Sequence, residues 1–129
     1  MITVYKVLDT TYGGLRSLGT VPPHELIYEP GVVKQYPNMF VYESEEAARA
    51  GGVGWRHIVL WECETTQTRP APELIVKAHY LNQCFNAYWE AGGDHKGLEG
   101  WPGWLNHMLK TPPDGTVLVD DLKLIRPLA

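Results

Sequence analysis

The chain is poor in cysteine: Cys63 and Cys84 are its only two, and neither belongs to a C-x-x-C pair or stands beside histidines in a ligand pattern. That excludes the usual zinc-finger frameworks and gives a disulfide scaffold no support. Both thiols sit in apolar segments, the setting of a buried and inert cysteine. Positive charge is also scarce. Eleven Lys and Arg against fifteen Asp and Glu leave a net charge of −4, with the cations scattered, so direct nucleic-acid binding is not expected. Long apolar runs are missing as well; none approaches the roughly 20 residues needed to span a bilayer as a helix. "MITVYKVL" at the start has the look of a strand and lacks the basic and apolar pattern of a leader, so a cytoplasmic protein away from membranes is expected. The five histidines, His24, His57, His79, His95 and His107, form neither H-x-x-x-H nor an H-E pair, and no metal site is expected. A glycine-rich phosphate loop and a G-x-S-x-G elbow are absent too, and no cofactor is implied by motif.

What is present reads as one domain over residues 1–129, with 44% hydrophobic and 20% charged residues, near the average for globular chains. "ITVYKVL" (2–8) is β-branched and aromatic and predicts a strand. "DTTYGGLRSLGTVPP" holds too many breakers for a regular element and predicts a loop. "ELIYEPG" predicts a short strand stopped by Pro30 and Gly31. "MFVYES" is apolar on both faces until Glu43, the mark of a strand covered on two sides. The chain then changes state: Ser44 is a good N-cap, Glu45 and Glu46 suit the first turn, three alanines propagate it, and Gly51–Gly52 ends it. Two of the three glutamates are thereby explained structurally, and Glu43 remains as a candidate site residue.

"HIVLWECE" (57–64) predicts the next strand. From Glu73 to Ala91 the residues Leu74, Ala78, Leu81, Phe85 and Tyr88 recur at three and four, which predicts a long amphipathic helix. "WPGWLNHMLK" (101–110) predicts a short helix, "PPDG" a turn, and "TVLVDDLKLI" one strand or two short ones. The expectation is an α+β domain: a mixed or antiparallel sheet with one long amphipathic helix and one or two short helices packed on it. A parallel β-α-β-α-β sheet is the alternative.

Three of the five tryptophans, Trp89, Trp101 and Trp104, fall in one short segment. Trp61 and Trp89 read as lids on the core, whereas Trp101 and Trp104, near His95, are candidate binding residues, because large amphipathic rings anchor interfaces. Arg16, in the glycine-rich "YGGLRSLG", is a second candidate for holding an anion or carboxylate. These features predict a protein partner.

The succession "VYKVL", "LIYEPG", "MFVYESEEAARA", "IVLWECE" and "GTVLVDDLKLI" resembles small uncharacterised proteins of phages and prophages. That resemblance implies a mobile-element origin and a role as modulator or inhibitor of a host system through protein binding. "FVYESEEAARA" also resembles the strand-to-helix passage of ADP-ribosyltransferase-like domains, which clamp NAD across a split sheet. It implies Arg16 as a cation of the first motif and Tyr42 with Ser44 on the strand of the second. Under that alternative Arg16, Tyr42 and Glu43 are the catalytic candidates and NAD is the cofactor.

Overall fold

The computed structural model describes residues 1–11, 13–17, 26–52, 57–71, 75–76 and 109–128. The chain divides into two compact units, one of Met1–Leu18, Leu26–Ala71 and Pro113–Ala129, the other of Gly19–Glu25 and Pro72–Pro112.

The first unit is built on one antiparallel sheet of seven strands. β1 (Ile2–Asp9) pairs along its whole length with β5 (Ile58–Thr65), from Ile2↔Thr65 to Asp9↔Ile58. β5 pairs with β9 (Thr116–Leu128), and β9 pairs with β4 (Val33–Tyr42). β4 meets β1 again at Tyr5↔Tyr42, so the ladder returns on itself through β1, β5, β9 and β4. β2 (Leu15–Ser17) and β3 (Ile27–Tyr28) extend the far end of β1, and β6 (Arg69–Pro70) continues along β9. The second unit contributes β7 (Ile75–Val76) and β8 (Leu109–Lys110), paired antiparallel.

Side-chain alternation sorts the residues of the ring into two faces. Val4 and Leu8 of β1, Met39 and Val41 of β4, Trp61 and Cys63 of β5, and Val119, Leu122 and Leu124 of β9 form the main core, closed by Leu26 and Tyr28. The opposite face of β1 and β5 carries Val7 and Leu60, which the helix α1 (Glu45–Gly52) covers with Ala48. Trp61 thus packs in the core as its lid reading requires, and the Cys63 thiol is buried.

The expected α+β class needs correction. Among the described residues the architecture is dominated by antiparallel strands, and α1 is the single helix. The 73–91 helix is overturned at Ile75 and Val76, which pair as a strand with Lys110 and Leu109, residues expected to end a second helix. The physical reason is local. Ile75–Val76 is a β-branched pair that loses side-chain freedom in a helix and gains from a ladder, and a three-and-four spacing of apolar residues does not outweigh pairing with a partner strand. The rest of both expected helices lies outside the described residues. The segment read as a loop carries the short strand β2, and β6 forms between the expected elements, because β1 and β9 supply the hydrogen bonds that local propensity does not.

The strand-to-helix passage forms as the sequence predicts. Ser44 Oγ accepts the Ala47 N–H at 3.1 Å and the Ser44 carbonyl accepts the Ala48 N–H at 3.1 Å, an N-cap with its first helical bond. Glu45 bonds Arg49 one turn on at 2.9 Å, and Glu46 stays exposed in the first turn.

Candidate functional site

Glu43 directly follows β4, its N–H donated to the Gly115 carbonyl at 2.8 Å. This bond draws the Pro113–Gly115 turn against the first turn of α1, so closely that a Cβ on Gly115 would lie 2.6 Å from the Ala47 Cβ. Gly115 also has φ +81°, a conformation that glycine adopts freely. Between turn and helix lies an open cleft of about 480 Å³ lined by Glu43, Ser44, Glu46, Pro113 and Asp114 among others. Glu43, Glu46 and Asp114 have no cation partner among the described residues. The cleft therefore favours positive charge. The Ser44 hydroxyl beside them is engaged in the cap.

The other expected site residues are placed elsewhere. Tyr42 pairs with Tyr5 and lays its ring over Gly51, where a Cβ would stand 2.7 Å from Tyr42 Cζ; burial raises its phenol above the ordinary value. Arg16, on β2, pairs with Asp9 and donates from Nε to the Gly13 carbonyl at 3.0 Å. Asp9 and Tyr5 are four residues apart on one strand, which separates the backbones of Arg16 and Tyr42 by about 13 Å. Glu43 lines the cleft, and neither Arg16 nor Tyr42 is among its lining residues. Trp101, Trp104 and His95 lie outside the described residues.

Two surface features escaped the sequence reading. The first is a polar clasp where β9 changes phase. Residues Tyr36–Asn38 bulge out of β4 opposite Asp120, with Asn38 at φ 60°. Asp120 accepts from the Asn38 N–H at 3.0 Å and from Arg69 at 2.6 and 2.9 Å, and Arg69 also donates to Asn38 Oδ1 at 2.6 Å. Asp121 accepts from the Thr65 hydroxyl at 2.6 Å and from the Thr66 N–H and hydroxyl at 3.0 and 2.7 Å. Hydrogen bonds from Arg69, and from Thr65 and Thr66, hold Asp120 and Asp121 below the usual carboxylate range. A second cleft, with Tyr36, Pro37 and Thr66 in its wall, opens beside the clasp.

The second feature is an exposed mixed patch. β9 carries an extra residue, Ile125, between the pairs Cys63↔Leu124 and Glu62↔Arg126, and the isoleucine is 40% exposed. Val33 pairs with Lys123, and Gly31 donates to the Leu124 carbonyl at 2.9 Å, so Val32 and Val33 run beside the bulge, each about half exposed. Lys123, Glu64 and the Arg126–Glu62 ion pair border them. Alternation from the core-facing Leu122 and Leu124 already turns Ile125 outward, and what the bulge changes is Arg126, which it sets opposite Glu62 on the same outer face.

Comparison with known proteins returns no matching family, curated relative or solved structure. Among the described residues no helix is long and apolar enough to cross a membrane, and no group of His, Cys, Asp and Glu is arranged to hold a metal ion.

Proposed function

We propose that the protein is a binding module that docks a protein partner on the outer face of its sheet and performs no chemistry of its own. The observation that supports this reading is the patch of Val32, Val33 and Ile125, aliphatic side chains at the surface with charges of both signs around them. An apolar centre with a polar rim is the anatomy of a recognition surface, and the charge pattern suits a partner that brings an aliphatic anchor flanked by opposite charges. A carboxylate of the partner would meet Lys123 and a cation would meet Glu64, its cross-strand neighbour. The scaffold beneath is a ring of paired strands, which presents the patch without an ordering cost on binding. A modulator of a host system, of the phage type, is the biological role this reading carries. The transferase alternative requires Arg16, Tyr42 and a carboxylate around one NAD molecule, and the spacing along β1 works against it.

The test compares the wild type with Val33→Asp and Ile125→Asp in capture from a bacterial lysate, with NAD titrated by calorimetry in parallel. The expected result is a defined partner held by the wild type and released by both variants, whose melting temperatures match the wild type. Capture indifferent to both substitutions overturns the patch. Saturable NAD binding overturns the module in favour of the enzyme.

A further inference from the structure

The inward face of β1 should be aliphatic throughout, yet between Val4 and Leu8 stands Lys6, only 9% exposed. Its amine donates to the Phe40 carbonyl at 2.6 Å. The location is particular. β1 shares eight residue pairs with β5, but it meets β4 at the single pair Tyr5↔Tyr42. Lys6 reaches from β1 to β4 beside that pair, so the ring of strands is closed there by one backbone pairing and one side-chain bond.

The surroundings give the ammonium little compensation. β5 presents the Cys63 thiol, which burial pushes up to about 12 and so keeps neutral. β3 presents the Tyr28 hydroxyl, bonded to Met39 Sδ at 3.4 Å, and β4 brings Tyr36 against the edge of the core. β9 offers only Val119, Leu122 and Leu124, while α1 lies on the opposite face with Ala48. No carboxylate among the described residues pairs with Lys6. An ammonium has three donors, and the bond to Phe40 uses one.

We propose that the seam between β1 and β4 is a proton-gated opening: the protonated Lys6 amine favours a state in which the strands part and the amine reaches water, and loss of the proton holds the seam shut. The direction follows from linkage. Burial lowers Lys6 from 10.5 to about 8 in the closed state, whereas a hydrated amine returns to its ordinary value. Above pH 8 the open state therefore binds more protons than the closed one, and raising the pH disfavours opening. Most of the effect falls between pH 8 and 10.5. From pH 7 to pH 9.5 the opening constant should drop more than about tenfold.

The experiment measures acylation of Lys6 by a small amine-reactive ester, with the labelled peptide quantified by mass spectrometry. The rate in the native protein divided by the rate in the urea-denatured protein gives the opening constant and cancels the intrinsic reactivity of the amine. Lys123, on the outer face, serves as the internal control. The expected result is a native-to-denatured ratio for Lys6 that falls more than about tenfold between pH 7 and pH 9.5 and is insensitive to low urea, as a local opening requires. A ratio independent of pH overturns the proposal. So does a ratio that rises with urea as steeply as global unfolding, or a Lys6 amine that titrates near 10.5 in the native protein by NMR. In Lys6→Met the exchange of the Tyr42 amide should lose its pH dependence beyond the intrinsic chemistry. If that variant fails to fold, labelling and titration of the wild type decide the matter.

Discussion

Asp121 accepts the Thr65 hydroxyl at 2.6 Å from across the sheet, joining a fully buried threonine at the end of β5 to the point where β9 changes phase. A strand pair that merely ended there would leave the Thr65 hydroxyl to the Asp121 and Gln67 carbonyls, at 2.8 and 3.3 Å. Instead the carboxylate gathers Thr65 and both donors of Thr66, and the chain resumes as β6 in the same register along β9, Glu64↔Lys123 before the break and Arg69↔Leu118 after it.

This clasp predicts a stability change from a substitution that leaves the shape intact. Thr65→Val keeps the volume but removes the donor from a hydrogen-bonded carboxylate, which should destabilise the fold by roughly 1–3 kcal/mol. Urea denaturation at neutral pH measures it. Thr66→Val, at an exposed position, should cost less.

The same aspartates set the acid limb of stability. Hydrogen bonds lower Asp120 and Asp121, so their contribution is complete above the ordinary carboxylate value near about 4 and is lost as the pH falls through the lower folded values. Unfolding free energy should therefore decline below about pH 4, and Asp121→Asn should be less stable at pH 7 yet show a shallower decline. Parallel slopes for the two proteins would place the acid sensitivity elsewhere.

Legibility in the sequence followed how local each signal was. Ser44, Glu45, Glu46 and the alanines act within one turn, and the cap and helix lie where those residues predict. β1 and β5 are also local signals, dense in β-branched and aromatic residues. The two phase changes of β9 are not local. Val119 faces the core, Asp120 and Asp121 intervene, Leu122 and Leu124 face the core, and after Ile125 the outward positions belong to Arg126 and Leu128. Each change answers a bulge whose partner lies on another strand, so "TVLVDDLKLI" could be read as one strand or two. Lys6 was hidden for a related reason: inside "VYKVL" a lysine signals an outward position, and only the closing of β4 onto β1 turns that face inward.

Substitution of Ser44 tests the cap. Ser44→Ala removes the acceptor of the Ala47 N–H and should destabilise by about 1 kcal/mol. Replacing Glu46 with glutamine, which alters only a charge near the helix start, should cost no more than about 1 kcal/mol. Thermal and urea melts of the two variants rank these effects.

Gly115→Ala should do more damage than either. Its φ of +81° disfavours any side chain, and the new Cβ would stand 2.6 Å from the Ala47 Cβ on a packed helix. With both strain and overlap, a loss of roughly 2–4 kcal/mol is expected. The cleft between helix and turn should widen with it, seen as amide shift changes at Glu43 and Asp114.

His57 offers the opposite sign. It occupies φ 73°, where a side chain is uncommon, and its carbonyl is fixed by the Thr10 N–H at 2.8 Å and the Thr10 hydroxyl at 2.9 Å. Those bonds involve only the main chain of residue 57, so they survive removal of the imidazole. His57→Gly relieves the left-handed strain while adding backbone freedom to the unfolded chain, and the two effects leave stability unchanged or raised by up to about 1 kcal/mol. His57→Val, with a β-branched side chain at positive φ, should instead destabilise by roughly 1–2 kcal/mol. If glycine weakens the fold as much as valine does, the imidazole itself makes a stabilising contact, and the backbone account of this position fails.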